Sequence, residues 1–326
     1  MKMKSGSTRR TASYLRRYWG LYLMLLLPMA WFAIFRYWPM WDLQLAFRAN
    51  NIIAPILEVQ WVGFDNFRWA FNHPPFRDAF RNTVVFSVLD LLAGFPAPIL
   101  LALLLNELKF RKFKRVTQTI SYMPHFLSWI IISGLALQLF SPTVGTINTV
   151  LFNVSGSLNN FLYSTFGVYE FFGRGPIPFL NSENHWIGTV VGLGVWRSVG
   201  WNTIIYLAAI TAISPELYEA ADADGANRLR KMWHITLPGI RPVIIILFIL
   251  SIGGIMGADF ERFMALGNPL VMRVSEVLPL YVWRWGLTRL QFASSTAVGL
   301  IQNSINLILL LSANFIVKKL GGSGLW

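Results

Sequence analysis

Three kinds of residue are scarce or missing in this sequence, which has no cysteine, four histidines and only 15 acidic residues among 326. Without cysteine, disulfide bonds, thiolate metal ligands and cysteine nucleophiles are excluded. The histidines show no spacing typical of metal ligands, so no metal site is predicted. No Gly-Lys pair occurs anywhere, and the glycine-rich phosphate loop of P-loop ATPases is therefore absent.

Apolar residues, by contrast, are abundant. They make up 55% of the chain, and the mean hydropathy of +0.50 is well above that of soluble domains of this length. Each long apolar run could be a buried core helix, but several runs near bilayer-spanning length are atypical of a soluble fold. We therefore predict an all-α integral membrane protein with six transmembrane helices, at 19–35, 83–105, 119–140, 186–210, 242–260 and 294–317.

The basic residues indicate the orientation of these helices. The net charge of +13 would suit nucleic acid, but the basic residues flank apolar runs, so the lipid bilayer is the predicted partner and no nucleic acid is expected. If the helices alternate, all lysines lie on one side, which the positive-inside rule assigns to the cytosol. These lysines are Lys2, Lys4, Lys109, Lys112, Lys114, Lys231, Lys318 and Lys319.

This orientation predicts a multi-pass protein of the inner (cytoplasmic) membrane with both termini in the cytosol. A basic leader at 1–18 and a tail at 318–326 are cytosolic, and the segment at 36–82 is extracytoplasmic. The first apolar run also resembles the core of a signal peptide. No small-x-small cleavage pattern follows it, however, and the aromatic cluster at 36–41 is typical of a membrane interface, so we interpret the run as a retained helix.

The most polar stretch of the second half, residues 214–238, has the pattern of two short helices joined by a turn. Pro215 suits the first helical position, so a helix is predicted to begin there. Gly225 adopts positive φ at no steric cost and is expected to end it. A basic second helix follows, and we expect Pro238 and Pro242 to interrupt it before the next apolar run.

The spacing within this stretch resembles the EAA loop of permease subunits of binding-protein-dependent ABC importers. Glu219-Ala220-Ala221 is followed after three residues by Gly225, and after nine more by Ile235-Thr236-Leu237-Pro238. An ordinary helix-turn-helix would share the caps but not the whole spacing. In that family the loop docks on a cytosolic ATP-binding subunit. The resemblance thereby implies a coupling role for Glu219, Ala220, Ala221, Asp224, Gly225, Ala226, Ile235, Leu237 and Pro238.

The resemblance covers most of the chain and implies the type I ABC importer fold, with its core at 83–317. It also implies three protein partners: a second homologous permease, two ATP-binding subunits and an extracytoplasmic solute-binding protein. ATP and Mg²⁺ are expected on the ATP-binding subunits. This chain is then not an enzyme and binds no cofactor. Residues 61–67 resemble the family's usual lead-in to its core helices, although an amphipathic interfacial segment would have the same pattern. Four other motifs look like those of oligosaccharide permeases related to the aldouronate and alginate importers, namely 275–277, 281–284, 296–300 and 324–326.

Polar side chains inside the predicted membrane helices are candidates for the substrate pathway, because ionisable groups are costly at bilayer depth. Asp90 and Arg197 have similar predicted depths, so an ion pair between them is expected, with either a structural or a gating role. Aromatic rings and amides bind sugars, but they also join helices and mark interfaces. The candidates are Asp90, Trp196, Arg197, Trp201, Asn202, Asp259, Glu261, Gln302, Asn303 and Asn306.

The sequence therefore predicts the permease subunit of an ABC importer for an oligosaccharide. A permease for another small solute, such as an amino acid or phosphate, would carry the same loop, whereas a membrane enzyme or a channel would leave the loop spacing unexplained. The predicted outer side has arginines but no lysine, and guanidinium groups suit bidentate binding of carboxylates. Neighbouring acidic residues offer these arginines other partners, so a uronate-containing substrate is one of two open interpretations.

Overall fold

The structure, a computed structural model, describes residues 17–51, 53–166, 176–319 and 324–325. These residues are helical or irregular, apart from one isolated antiparallel bridge between Arg48 and Trp61. Four helices are long and apolar enough to cross a membrane, and two bent helix pairs raise the number to six if each pair is one span. The predicted all-helical fold with several apolar helices is confirmed. Most of the basic leader lies outside the described residues.

The first helical rod runs from Trp19 to Phe47, and its most apolar stretch is not covered by the rest of the described chain. It consists of α1 (Trp19–Phe32), a π-helical turn (Ala33–Tyr37) and a 3-10 helix (Trp38–Phe47). No residue of α1 is buried, and the 3-10 part of the rod packs against the last helix of the chain. So large an apolar surface needs lipid or another protein around it.

The second rod begins earlier than the sequence predicted. A 3-10 turn (Ile56–Glu58) and α2 (Asp65–Asn72) precede it, and α3 (Pro74–Gly94) continues into α4 (Pro96–Asn106) to give 33 residues. The first turns of the rod, residues 74–82, are polar, so a search of the sequence for apolar runs does not include them. Pro74 fixes a helical φ at the first position, where its missing N–H costs nothing.

The third predicted span is broken in two. Extended backbone at Leu127 and Ser128 separates the halves, whose axes differ by 104°. Pro124 lacks the N–H that would continue the first half, and the Ser128 hydroxyl caps the second half by accepting a backbone N–H. The parts are α5 (Arg111–Tyr122), a 3-10 turn (Met123–Phe126) and α6 (Trp129–Leu139).

One long helix, α8 (Glu183–Thr211), organises the bundle. Its 29 residues extend about 43 Å at 1.5 Å per residue, and α3, α4 and α5 pack along it. Gly200 allows the closest of these approaches, because the backbone of Ser121 in α5 occupies the place that a Cβ would take. The helix α7 (Thr146–Phe166) lies between α6 and α8 in the chain.

The polar stretch after α8 leads into another membrane-length rod. This rod, Arg228–Gly253, is continuous, so the prediction that Pro238 and Pro242 interrupt it is wrong. A π-helical turn ends at Thr236, two residues before Pro238. Its wider hydrogen-bond spacing accommodates the N–H that proline lacks. The elements are α9 (Pro215–Ala223), α10 (Arg228–Lys231), the π turn (Met232–Thr236) and α11 (Leu237–Gly253).

Short helices then cover one end of the bundle before the last span. The predicted span 242–260 is also wrong at its end, because helix α11 ends at Gly253 and the chain to Asp259 is not helical. The remaining elements are α12 (Phe260–Leu266), a 3-10 turn (Pro269–Val271), α13 (Met272–Ser275), α14 (Leu278–Trp283), a π turn (Arg284–Thr288) and α15 (Phe292–Lys319).

Candidate functional site: a two-helix loop and a charged cavity

The loop at 214–238, hereafter the coupling loop, turns back on itself at Gly225, as predicted from the sequence. Gly225 has φ +72°. Its N–H donates to Asp222 O at 3.1 Å, and the N–H of Ala226 donates to Ala221 O at 2.8 Å. This pair of bonds is a Schellman motif, in which a glycine in left-handed conformation satisfies the last carbonyls of a helix. The small Ala221 thus lies inside the turn.

Two side-chain contacts hold α9 against the following rod. The hydroxyls of Tyr218 and Thr236 are 3.0 Å apart, and Thr236 is fully buried. The Lys231 ammonium lies 2.6 Å from the Asp222 carboxylate. Because α9 is tied to the rod by these contacts, the loop and α11 are expected to move together.

The outer face of the coupling loop is open to solvent. Glu219 is exposed and has no ion-pair partner among the described residues. The large apolar side chains of Leu217, Leu229 and Trp233 are each more than half exposed beside it. Of the predicted coupling residues, Ala221, Ala226, Ile235 and Leu237 are partly buried, and the exposed ones are Glu219, Ala220, Asp224, Gly225 and Pro238.

The second feature is a cavity of about 570 Å³ in the middle of the bundle. Helices α3, α4, α6, α8 and α11 line it, together with the non-helical segment after α11 and the first turn of α12. Four of the predicted pathway residues lie in its wall: Asp90, Arg197, Asn202 and Asp259.

Asp90 makes an ion pair with Arg262, so the predicted pair of Asp90 with Arg197 is wrong. Both guanidinium amino groups of Arg262 donate to the Asp90 carboxylate, one of them at 3.0 Å. Arg262 is only 4% exposed. Gly194 makes room for it, because a Cβ at that position would collide with the guanidinium. A bidentate pair satisfies the two charges with each other.

Arg197 remains without a carboxylate partner among the described residues. Its Nε donates to Leu127 O at 3.2 Å, and its guanidinium lies 5.0 Å from the ring centre of Trp129. The indole N–H of Trp129 in turn donates to Asp259 at 2.5 Å. The break between α5 and α6 creates this arrangement, since it frees the Leu127 carbonyl and orients Trp129. The amino groups of Arg197 are therefore available to the cavity.

The other predicted pathway residues lie elsewhere. Trp201 stacks on His125 with ring centres 4.6 Å apart, and Trp196 faces an apolar groove between α6 and α8. The Asn306 side chain accepts the N–H of Met256 at 2.9 Å, which supports the chain just after α11. Glu261 and Asn303 are exposed and Gln302 is half-buried, and none of the three lines the cavity.

Sequence reasoning missed Arg262, Trp129 and an aromatic cluster near the start of α3. In this cluster the His73 ring contacts Trp69 and Trp285, and its Nδ1 lies 2.9 Å from the Tyr281 hydroxyl. Burial, and secondly the charge of Arg289, lowers the pKa of His73. Arg262 carried no signal because it lies just beyond the predicted span 242–260, where basic residues are common. Trp129 carried none because a single tryptophan is ordinary within an apolar run such as 119–140.

Comparison with known proteins identifies the family. A family model for the "Binding-protein-dependent transport system inner membrane component" matches residues 94–321. The polygalacturonan/rhamnogalacturonan transport system permease protein YteP of Bacillus subtilis (strain 168) is 42% identical over 306 residues, which cover 94% of this chain and 90% of YteP. Protein LplB of the same organism is 38% identical, with 96% and 92% covered.

A solved structure agrees with these relatives. One chain of a crystal structure of a bacterial ABC transporter involved in the import of the acidic polysaccharide alginate superposes with a TM-score of 0.83 at 35% identity, covering 95% of this chain and 99% of that one. The resemblance drawn from the EAA spacing is thus confirmed at the level of family and fold. This chain belongs to the family of inner-membrane permease components of binding-protein-dependent ABC transport systems.

Proposed function

We propose that this chain is the permease subunit of an ABC importer for an acidic, uronate-containing oligosaccharide. One observation carries the acidic part of the proposal: Arg197 presents a guanidinium without a carboxylate partner to the 570 Å³ cavity. Arginine binds carboxylates bidentately. The neighbouring cation, Arg262, is already compensated by Asp90, so Arg197 is the group free to receive a uronate.

The remaining polar groups of the cavity suit the hydroxyls of a sugar. Asn202 offers an amide, and Asp259 offers a carboxylate that is oriented by Trp129. The relatives support this substrate class. YteP is described as a polygalacturonan/rhamnogalacturonan transport system permease, and the superposed structure is that of a transporter involved in the import of alginate. A neutral oligosaccharide would leave Arg197 without a matching charge.

Transport requires partners in this proposal. A second homologous permease completes the pore, two ATP-binding subunits bind and hydrolyse ATP with Mg²⁺, and an extracytoplasmic solute-binding protein delivers the sugar. A structure of the alginate transporter with a pentasaccharide-bound periplasmic protein supports the last of these. Six membrane spans with both termini in the cytosol place the coupling loop beside the ATP-binding subunits.

The contacts of the coupling loop suggest how ATP hydrolysis reaches the cavity. When the ATP-binding subunits close, the exposed face around Glu219 moves with them. The Tyr218–Thr236 and Lys231–Asp222 contacts pass this movement to α11, and α11 contributes Leu247, Leu250 and Ser251 to the cavity wall. The cavity then opens alternately to the two sides of the membrane.

The substrate proposal is tested with the assembled transporter in proteoliposomes. ATP hydrolysis is measured with the cognate solute-binding protein and either a uronate oligosaccharide or a neutral malto-oligosaccharide of equal length. We expect stimulation by the uronate chain alone. Stimulation by the neutral chain alone would refute the acidic substrate and leave the permease assignment intact.

A further inference from the structure

Residues 109–115, which comprise the end of the connection between α4 and α5 and the first turn of α5, are the most basic part of the described chain. Five cations occur within seven residues, and all but Lys114 are exposed. None of the five makes an ion pair among the described residues. This basic segment, as we call it, consists of Lys109, Arg111, Lys112, Lys114 and Arg115.

Apolar side chains of the same region point away from the protein. Phe113, Val116, Ile120 and Met123 are spaced by three, four and three residues, which places them on one face of α5 and its continuation. Each is more than half exposed, and Phe110, within the basic segment, is 79% exposed. An apolar stripe of this kind is stable in lipid and costly in water.

The opposite face of α5 is polar and turned toward the bundle. Lys114, Thr117, Gln118 and Ser121 are partly buried, and the Ser121 backbone packs against Gly200 of α8. This contact fixes the rotation of α5 about its axis. The apolar stripe therefore faces the hydrocarbon of the bilayer, and the exposed cations lie at the end of the stripe where the span Pro74–Asn106 has just ended.

We propose that the basic segment is a binding site for anionic phospholipid headgroups of the cytosolic leaflet. Exposed cations beside inserted aromatic side chains are the arrangement that holds a protein segment to an anionic membrane surface. Charge complementarity selects the ligand. No acidic side chain of the described chain pairs with the five cations, and the phosphate of a lipid headgroup supplies the missing negative charge. The orientation of this end toward the cytosol follows from the proposed topology.

The site also has a consequence for the cavity. The helix α5 leads directly to the break at Leu127, whose carbonyl accepts the Arg197 Nε, and to Trp129. A lipid phosphate that anchors the start of α5 would hold the position of this break. Transport is therefore expected to depend on anionic lipid as well as on the partner subunits.

The test uses the assembled transporter in nanodiscs of phosphatidylcholine that contain either no phosphatidylglycerol or about 30% of this anionic lipid. The variant K109Q/K112Q removes two cations of the basic segment. The control K318Q/K319Q removes two exposed lysines at the end of α15. Phosphatidylglycerol retained after detergent extraction is quantified by native mass spectrometry, together with the lipid dependence of transport.

We expect the wild-type transporter and the control to retain phosphatidylglycerol over phosphatidylcholine, and K109Q/K112Q to lose at least half of that preference. The charge-conserving variant K109R/K112R should keep it, which separates loss of charge from misfolding. Equal lipid retention in K109Q/K112Q and the control would overturn the proposal. Unchanged lipid retention with loss of the ATP-binding subunits from K109Q/K112Q would also overturn it, and would assign the segment to a protein contact.

Discussion

Gly225 allows the role of the coupling loop to be tested without disturbing any packing. Its φ of +72° is strained for other residues, and a Cβ built there meets nothing within 4 Å. Substitution therefore adds backbone strain alone. The left-handed conformation costs an L-residue about 1–2 kcal/mol, more for β-branched valine, and less for asparagine, which tolerates it.

The strain is relieved when the turn opens, and opening breaks the hydrogen bonds donated by Gly225 and Ala226. Hydrogen exchange at these two positions should therefore rise about 5- to 30-fold in Gly225→Ala, further in Gly225→Val, and least in Gly225→Asn. ATP hydrolysis stimulated by the solute-binding protein should fall in the same order, while the amount of protein in the membrane stays constant.

Gly63 provides the matched control. It also has positive φ, +61°, and open space around its Cβ position, but it lies far from the coupling loop in the chain. Gly63→Val should leave stimulated ATP hydrolysis unchanged. Equal activity of the Asn, Ala and Val variants at Gly225, or an equal loss in Gly63→Val, would refute the reasoning.

Asp90, His73 and Glu219 each allow a separate test. Asp90→Asn leaves the buried Arg262 without its counter-charge and should cost about 3 kcal/mol of stability, measured by thermal unfolding in detergent, with partial recovery in Asp90→Asn/Arg262→Gln. Burial lowers the pKa of His73, so protonation of this histidine opposes folding. The free energy of unfolding should be constant above the ordinary histidine pKa of 6.5 and fall below it. His73→Gln should flatten this pH dependence. Glu219→Lys should leave the permease in the membrane but abolish stimulated ATP hydrolysis, and normal stimulation would contradict a docking role.

The coupling loop was predictable because its structure is local. A proline at the first helical position and a glycine at the C-terminal turn determine the bounds of α9 through backbone chemistry alone. The continuation of the next helix through Pro238 was not predictable, because it depends on a π turn that the sequence does not mark. From the sequence alone, proline predicts an interruption of the helix.

The cavity was only half predictable, because it depends on contacts between distant segments. The polarity of Asp90 and Arg197 marked them as unusual within apolar runs, but their partners depend on the tertiary fold. Arg262 reaches Asp90 only because α11 ends at Gly253 and the chain turns back into α12. The break at Leu127, which gives Arg197 its backbone partner, lay inside a run that hydropathy treats as one helix.

The most direct test of the proposed function is the effect of Arg197→Gln on transport of two matched substrates. A uronate oligosaccharide and its carboxyl-reduced, neutral counterpart are taken up into proteoliposomes by the assembled transporter. Loss of a charge-assisted hydrogen bond should lower uptake of the uronate chain on the order of 10- to 100-fold and leave uptake of the neutral chain unchanged. An equal effect of Arg197→Gln on both substrates, or no effect on either, would contradict the account.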